Sequence, residues 1–383
     1  MNKEIHIGII GAGKIGSTIY ELLVSADFGY QISVADQVER MWNIPEENYT
    51  KLTITKPTYE GDCVQFKEFV KGKSLIINAL PYYQNINLYK DCCEFNVPYF
   101  DLSEDGSLDN YIKELCQTGL RSHSEIPFTM RYCGLAPGMS SIVAFDLLKK
   151  LSKPQTLKIR VGALSQNADN KLRYYTSWSA EGLVNEYMGD CQVVRRGRQT
   201  TVPALCGYEK ITIAQHDYEC FHTSGGIGTL AKSIESRYNP FGDPPSTIHA
   251  DYKTVRRIGH HHYVDFLFND LQLDQVSLTE IFKSCIPQTK KDVVIIYATA
   301  SSLDKEDEVT YYKVFKPRMI NGRYMSAIEY TTAIGLVAMV ELFVEKKIPQ
   351  EGYVKQEDVE WKQALSTKYG YIYRENDDEV LGL

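Results

Sequence analysis

The sequence predicts an α/β protein built from two domains, and three observations lead to this fold class. Strand-like and helix-like segments alternate over the first ~100 residues, which is typical of parallel βαβ units. After about residue 150 the strand-like segments follow one another with fewer helices between them, which favours a mixed or antiparallel sheet. The chain has 383 residues, which is enough for two domains that each bury a core.

The first domain is expected to consist of short apolar strands that alternate with helices. Residues 5–10 are a short apolar strand, and the helix predicted at residues 15–25 carries Ile19, Leu22 and Leu23 on one face. The further strands are predicted at residues 31–35, 75–79, 99–102 and 128–133, and the further helices at residues 66–70, 88–95 and 107–117.

The second domain is expected to contain a sheet of its own. Its strands are predicted at residues 157–161, 174–178, 193–194, 210–213, 218–222, 293–299 and 309–314. Residues 331–344 form a helix that is apolar around much of its circumference, and such helices are buried. We therefore expect this helix in the interior, packed against the first domain.

A glycine-rich turn, residues 11–16 (GAGKIG), joins the first predicted strand to the first predicted helix. Gly11 permits the tight turn, Gly13 lets the backbone approach a pyrophosphate, and Gly16 lets the helix pack closely on the strand. The helix N-terminus supplies N–H groups and the positive end of a dipole for the phosphates. The first domain is therefore predicted to be a Rossmann dinucleotide-binding domain, with Lys14 and Ile15 also at the cofactor.

An acidic residue, Asp36, follows the second predicted strand and lies 20 residues after Gly16. A carboxylate there accepts hydrogen bonds from the ribose hydroxyls of NAD and repels the 2′-phosphate of NADP. The sequence therefore predicts NAD as the cofactor, and NADP stays possible because Arg40 lies close by and can pair with a phosphate. The alternative is that the glycines only turn a loop and Asp36 caps a surface turn.

Two further strand ends are candidates for cofactor contact, because the carboxyl edge of such a sheet lies along the cofactor path. Ala79, Leu80 and Pro81 follow one buried strand, and Asp101 and Ser103 end the next. Asp101 is also a candidate catalytic residue near the nicotinamide. Its structural alternative is a cap for the loop that follows it.

Composition and charge exclude several classes of function. The net charge of −7 lacks the basic footprint of a nucleic-acid-binding protein. The nine cysteines include no Cys-x-x-Cys pair, so we expect free thiols and no metal site. Apart from the N-terminal segment, the longest apolar run is residues 333–340, shorter than the ~18 residues of a membrane span. We expect a cytoplasmic protein with no membrane or nucleic-acid partner.

Four later segments form a set together with the glycine-rich turn. They are residues 134–140 (GLAPGMS), 175–179 (YTSWS), 222–230 (HTSGGIGTL) and 254–260 (TVRRIGH). In order and spacing the set resembles the saccharopine dehydrogenase (glutamate-forming) and lysine 6-dehydrogenase family, from about residue 5 to about residue 355.

The resemblance implies a domain plan and a reaction class. It implies a Rossmann domain at residues 1–135, an α/β substrate and dimerisation domain at residues 136–325, helices returning to the Rossmann domain at residues 326–365, and a tail at residues 366–383. It also implies reversible oxidation of an amine at carbon, with NAD(P) accepting the hydride, and often a homodimer.

Within that family the sequence is closer to the lysine 6-dehydrogenases. The saccharopine enzymes carry an acidic residue where this chain has Ala136, whereas the lysine 6-dehydrogenases share the alanine and a Gly-His pair like Gly259-His260. The chain departs from that subgroup at one place: it has Arg257-Ile258 where the lysine 6-dehydrogenases have an aromatic residue followed by proline. A saccharopine-type or carboxynorspermidine-type reductive condensation, and a catalytically silent NAD-binding sensor, stay open as alternatives.

Oxidation of an amine needs a base, because the nitrogen must lose its proton before the hydride leaves. His260 is the leading candidate, since a histidine pKa near ~6.5 suits the task. Its alternative is a surface or supporting histidine. The candidates for substrate binding are Arg256 for a carboxylate, Trp178 as an apolar wall, and Thr176 and Tyr132. For Arg256 the alternative is an ordinary salt bridge, and for Trp178 and Tyr132 it is core packing.

Overall fold

The computed structural model describes residues 4–37, 44–52, 64–120, 122, 125–240, 247–303 and 307–374. The chain divides into two compact units, of which the first comprises residues 1–134 and 332–371 and the second residues 135–331 and 372–383. Arg40 and residues 375–383 of the predicted tail lie outside the described residues. Tyr373, which the sequence also assigned to the tail, is fully buried.

The first unit contains a sheet whose paired strands all run parallel. Its strands are β1 (His6–Ile10), β2 (Gln31–Asp36), β3 (Tyr49–Lys51), β4 (Leu75–Asn78), β5 (Tyr99–Asp101) and β6 (Thr129–Met130), and its first helices are α1 (Lys14–Ser25), α2 (Val64–Val70), α3 (Asn85–Phe95) and α4 (Ser107–Gln117). The strand order β3-β2-β1-β4-β5-β6 is that of a Rossmann domain, which confirms the predicted fold class. Only β3 was missed, because its residues are half-buried or exposed and show no apolar pattern.

The second unit is built on a larger, mixed sheet. Its strands are β7 (Pro154–Ser165), β8 (Asp190–Arg195), β9 (Arg198–Pro203), β10 (Glu209–Ile213), β11 (His216–Phe221), β12 (His249–Arg257), β13 (Asp292–Ser302), β14 (Glu308–Phe315), β15 (Arg318–Ile320) and β16 (Arg323–Met325). The main order is β10-β11-β12-β7-β13-β14, the hairpin of β8 and β9 lies beside β12, and β15 and β16 pair separately. β7 and β12 run parallel while the other neighbours on the main path are antiparallel, so the prediction of a mixed sheet is confirmed.

Seven further helices follow β6 along the described chain, and α5, α7 and α8 contact strands of the second sheet. They are α5 (Met139–Lys149), α6 (Ala180–Glu186), α7 (Leu230–Tyr238), α8 (His260–Asp265), α9 (Gln275–Cys285), α10 (Ala327–Val344) and α11 (Trp361–Ser366). A single π-helical turn, Phe266–Asp270, follows α8 directly. α5 packs on β7 and β13 and is buried along most of its length.

The sequence prediction was wrong at residues 174–178, and among the strands that it missed are β12, β15 and β16. Residues 174–178 form no regular strand, because side chains of Asn170 and Ser165 hold the backbone of Tyr174 and Tyr175, at 2.6–3.1 Å. β12 was missed because charged residues occupy its buried positions and hide the apolar pattern.

The C-terminal part of the chain completes the first unit. Thr129 of β6 forms a parallel bridge with Tyr353, with backbone hydrogen bonds of 2.9 Å on both sides. Phe343 near the end of α10 packs against Phe100 and Phe128, with ring centroids 5.6 and 4.3 Å apart. Residues 332–371 therefore belong to the hydrophobic core of the dinucleotide-binding unit.

α10 is the most apolar helix of the chain. By length and composition alone its 18 residues could cross a membrane, yet 78% of that window is buried inside the protein, as in the core helix of a folded domain. Its first N–H groups lie inside the second unit, where water cannot satisfy them. Asp292 supplies the partners: its Oδ1 accepts from Ala327 N–H at 2.7 Å and its Oδ2 from Ile328 N–H at 2.9 Å.

The substitution Asp292→Ala is expected to lower the free energy of unfolding by about 2–4 kcal/mol, because a buried donor at Ala327 and a half-buried donor at Ile328 lose a charged acceptor. Asp274 caps the exposed start of α9 through Ser277 N–H at 2.8 Å, and Asp274→Ala is the matched control, with an expected loss of about 1 kcal/mol. Denaturant unfolding monitored by circular dichroism measures both. If the two variants lost the same free energy of unfolding, the larger contribution expected of the Asp292 cap would be contradicted.

Candidate functional site

The glycine-rich turn has the geometry that its sequence predicts. Gly11 has a φ of 102°, and a Cβ atom there would lie 2.7 Å from the backbone carbonyl of Ala79. At Gly16 a Cβ atom would lie 1.8 Å from the carbonyl oxygen of Gly11, so no larger residue fits. These two glycines allow β1, the turn, α1 and the end of β4 to approach one another closely.

The third glycine faces an open space at the start of α1. A Cβ atom on Gly13 would meet nothing within 4 Å, and no side chain caps the helix there. Lys14 and Ile15, the first residues of α1, are half-buried. The cradle therefore fits a pyrophosphate, because an open helix N-terminus offers N–H groups and positive potential to an anion.

Asp36 lies beside this cradle at the end of β2. Its carboxylate Oδ2 accepts a hydrogen bond from Ala12 N–H at 2.5 Å, and the residue is 8% exposed. The bond fixes the acidic group against the turn. This is the position from which a carboxylate meets the ribose of a dinucleotide bound at the turn.

Ala79, Leu80 and Pro81 follow β4 next to the turn. Ala79 N–H donates to the carbonyl of Ile10 at 2.8 Å, and Leu80 N–H donates to Asn78 Oδ1 at 3.0 Å. Ala79 and Leu80 are half-buried, and Pro81 is exposed. The structure thus brings these predicted cofactor residues together with the glycines in one unit.

Asp101 is fully buried in a polar network instead of facing a ligand. Its Oδ2 accepts from Arg131 Nε at 2.9 Å and from the Tyr99 hydroxyl at 3.1 Å, and its Oδ1 accepts from Tyr132 N–H at 3.2 Å. Burial raises the pKa of Asp101, although the Arg131 guanidinium opposes the shift. This geometry favours the structural alternative, in which Asp101 holds the loop after β6. Ser103, also predicted at the cofactor, accepts from Asp105 N–H at 3.3 Å.

Tyr132 lies in the first unit, whereas the other predicted substrate residues lie in the second. Its hydroxyl donates to Asp109 and accepts from Arg131 Nη1 at 3.3 Å, and the residue has a φ of 62°. Its side chain is buried and its hydroxyl has two internal partners. These contacts favour a structural role for Tyr132 over substrate binding.

The predicted residues of the second unit form a cluster around Arg256 at the end of β12. Arg256 is 2% exposed, and its guanidinium lies over the ring of Tyr174 at 5.4 Å. Nε donates to the Tyr187 hydroxyl at 3.0 Å, Nη1 to the Val255 carbonyl at 3.1 Å and Nη2 to Glu186 Oε2 at 3.3 Å. A guanidinium has five N–H groups, and the residues that the structure describes supply no acceptor for the other two.

His260 is fully buried next to this guanidinium. Its Nδ1 lies 2.8 Å from the carbonyl of Leu172 and its Nε2 lies 2.8 Å from the Tyr187 hydroxyl. Burial, together with the charge of Arg256, lowers the pKa of His260 to about 3. The expectation that His260 titrates near neutrality is therefore wrong. The ring is neutral at physiological pH and a weak base.

Glu186, the last residue of α6, and Tyr187, which follows it, were missed by the sequence analysis. Burial raises the pKa of Glu186 to about 7, although Arg256 opposes the shift. Within the Arg256 cluster, Glu186 is thus the group that changes charge near neutrality. An amphipathic pattern of Ala180, Leu183 and Tyr187 marks one face of α6, but nothing local to the sequence pairs the neighbouring Glu186 with a residue 70 positions away.

Trp178 lies at the border of the same cluster, whereas Thr176 contacts the segment around Pro287. Trp178 is half-buried, its Nε1 donates to the Tyr174 hydroxyl at 3.1 Å, and its ring occupies the space beside Gly182. Thr176 is buried and bonds to the carbonyl of Pro287 through its N–H at 2.9 Å. Tyr174 thus contacts both the indole of Trp178 and the guanidinium of Arg256. Thr176 mainly joins two chain segments.

Two family models cover most of the chain. The model described as saccharopine dehydrogenase NADP binding domain matches residues 7–125, and the model described as saccharopine dehydrogenase C-terminal domain matches residues 134–369. Among curated proteins, the mitochondrial alpha-aminoadipic semialdehyde synthase of Mus musculus is 23% identical over 211 residues. That match covers 53% of this chain and 22% of the relative, so it concerns about a fifth of a longer protein.

Solved structures share the fold at low sequence identity. Apo saccharopine dehydrogenase (L-Glu forming) from Saccharomyces cerevisiae has a TM-score of 0.64 at 12% identity, with 92% of this chain and 94% of that chain covered. The homospermidine synthase of Legionella pneumophila in complex with NAD has a TM-score of 0.70 at 10% identity, with 98% and 92% covered. Given the two family models and the dinucleotide cradle, the chain belongs to the saccharopine dehydrogenase family, and its first unit is an NAD(P)-binding domain.

Proposed function

We propose that this protein oxidises an amine of an amino acid with NAD, as a lysine 6-dehydrogenase does. The product would be an imine, which water converts to the semialdehyde with release of ammonia. Family membership supports the reaction class, and the lysine-like substrate rests on the sequence features at Ala136 and Gly259-His260. A homodimer in the cytoplasm stays a prediction of the sequence.

The proposal that the substrate is an amino acid is supported by the charges around Arg256. Three arginines are among the largest fully buried side chains of the described chain: Arg131, Arg160 and Arg256. Arg131 pairs with two carboxylates, and so does Arg160. Among the described residues Arg256 pairs with Glu186 alone, and that carboxyl is partly protonated near neutrality. A substrate carboxylate would complete the compensation of this buried charge.

The cofactor cradle of the first unit supports NAD as the oxidant. When bound, NAD would supply the acceptor for the hydride that leaves the carbon bearing the amine. Gly13 leaves room for the pyrophosphate, and Asp36 would accept hydrogen bonds from the ribose hydroxyls. The negative charge of Asp36 disfavours the extra phosphate of NADP.

The amine must be neutral before hydride transfer, and a free lysine amine has a pKa near ~10.4. His260 does not suit this proton transfer, because its pKa is lowered to about 3. We assign to Glu186, whose pKa is raised to about 7, the role of holding a proton in the Arg256 cluster. Asp101 and Tyr132 are left out of the chemistry, because their polar atoms have internal partners.

A second candidate is the saccharopine-type reaction, in which a secondary amine between two amino acids is formed or cleaved. The names of both family models support it. Ala136 argues against it, because the saccharopine enzymes that the sequence resembles carry an acidic residue there.

The deciding experiment follows the absorbance of reduced nicotinamide at mildly alkaline pH with NAD and with NADP. The panel contains lysine, ornithine, saccharopine, carboxynorspermidine and other diamino compounds. Reduction of NAD by a primary amine supports the proposal, and turnover of secondary amines alone moves the protein to the second candidate. If calorimetry shows NAD binding but no compound is oxidised, the dehydrogenase proposal fails for this panel and the silent sensor is favoured.

Asp36→Asn is expected to raise the ratio of kcat/KM with NADP to kcat/KM with NAD at least about tenfold, because the amide keeps an acceptor for Ala12 N–H but removes the repulsion. Steady-state kinetics with both cofactors measure this ratio. Glu47→Ala, an exposed acid of the same unit, is the control and should leave the ratio unchanged. An unchanged ratio in Asp36→Asn would contradict the ribose assignment.

The raised pKa of Glu186 predicts a pH-dependent effect on stability. The folded protein holds this proton more tightly than the unfolded chain, so the contribution is full below pH 4.5 and is lost as pH rises through about 7. The stability of the wild type relative to Glu186→Gln should therefore fall by about 2–3 kcal/mol between pH 5 and pH 8. Urea unfolding at both pH values measures it, with the exposed Glu280→Gln as control. A pH-independent difference would show that Glu186 titrates in its ordinary range.

A further inference from the structure

A single buried hydroxyl links the two residues that the sequence analysis singled out in the second unit. The Tyr187 hydroxyl lies 3.0 Å from Arg256 Nε and 2.8 Å from His260 Nε2, and all three side chains are at most 2% exposed. Tyr187 is therefore placed to transmit the orientation of one residue to the other.

The donor and the acceptor of each hydrogen bond can be assigned by starting from the carbonyl of Leu172, which contacts His260. The carbonyl of Leu172 can only accept, so His260 Nδ1, 2.8 Å away, carries the hydrogen of the neutral ring. His260 Nε2 then has a lone pair, and the Tyr187 hydroxyl must donate to it. The phenol oxygen keeps its lone pairs for Arg256 Nε–H, which can only donate.

The guanidinium is thus held on the Nε side by a phenol of fixed orientation and on the Nη2 side by Glu186 at 3.3 Å. A planar guanidinium with two such contacts cannot rotate about its stem without breaking one of them. Its two N–H groups that lack an acceptor among the described residues are consequently held in one direction.

We propose that Tyr187 is a positioning residue, whose hydroxyl, oriented by His260, directs the remaining N–H groups of Arg256 toward a substrate carboxylate. The proposal rests on the proposed function, since it takes Arg256 as the carboxylate-binding residue. It gives His260 a role as well: the ring sets the orientation of the phenol and takes no proton from the substrate.

The ring of Tyr187 also packs in the core, and this contribution can be separated from that of the hydroxyl. The ring makes an edge contact with Phe268 at 5.7 Å and a tilted contact with Phe221 at 6.1 Å between centroids. Tyr187→Phe keeps these contacts and removes only the oxygen. Tyr263→Phe, on the exposed side of α8, is the matched control.

The test compares the amino acid that the wild type oxidises with its carboxamide, which has the same amine but no carboxylate. In Tyr187→Phe, kcat/KM for the amino acid should fall about 10- to 100-fold, mainly through KM, because a hydrogen bond to a charged group is lost. The value for the carboxamide and the affinity for NAD should change less than about threefold. Tyr263→Phe should behave as the wild type with both compounds.

Equal losses for the two compounds would overturn the proposal, because they would show that the hydroxyl only supports the fold. An unchanged kcat/KM would also overturn it. A readout independent of substrate is the ¹⁵Nε–H signal of Arg256, assigned with Arg256→Lys. Its hydrogen should exchange slowly in the wild type and at least about tenfold faster in Tyr187→Phe. If the wild type oxidises no amine, the proposed function fails, and this signal alone decides whether Tyr187 positions Arg256.

Discussion

Burial of guanidinium charge is the constraint on which the polar interior of this protein depends. A buried charge is costly unless it is paired and hydrogen-bonded. Arg131 meets this need in the first unit with Asp101 and Asp109, and Arg160 meets it in the second with Glu209 and Asp251. These pairings fix the loop after β6 and bind β7, β10 and β12 together. Arg256 follows the same rule with one carboxylate fewer among the described residues, and this difference makes it a candidate for ligand binding.

The sequence was sufficient for the dinucleotide site because every part of that site is local or placed by the order of parallel strands. Gly11 and Gly16 are required because a Cβ atom would lie 2.7 and 1.8 Å from backbone atoms of segments that the strand-turn-helix pattern already brings together. Asp36 ends β2, and the parallel pairing of β2 with β1 places it beside the glycine-rich turn. The same reasoning did not predict the surroundings of Asp101, because its position at a strand end says nothing about Arg131, which follows β6 and donates to the carboxylate.

The cluster in the second unit could be predicted only in part. Arg256 and His260 were singled out by a motif, but their environment comes from α6 and from Leu172, which are distant in sequence. The sequence analysis assumed the ordinary pKa for His260, because no sequence pattern shows that this histidine is buried beside the guanidinium of Arg256. β12 was missed for the same reason: its half-buried Asp251 and buried Lys253 are stable there because Arg160 and Glu209 pair with them across the sheet.

The charge of the Arg256 cluster also bears on the choice between the two candidate reactions. With Glu186 ionised the cluster is neutral, and with Glu186 protonated it carries one positive charge, which one substrate carboxylate can balance. A secondary amine that joins two amino acids carries carboxylates on both sides of the nitrogen and needs further cations close by. Around Arg256 the described contacts are with Tyr187, Glu186, Tyr174 and a backbone carbonyl, and none of these is a second cation. A substrate with a single carboxylate and a separate amine is the one that this electrostatic environment favours.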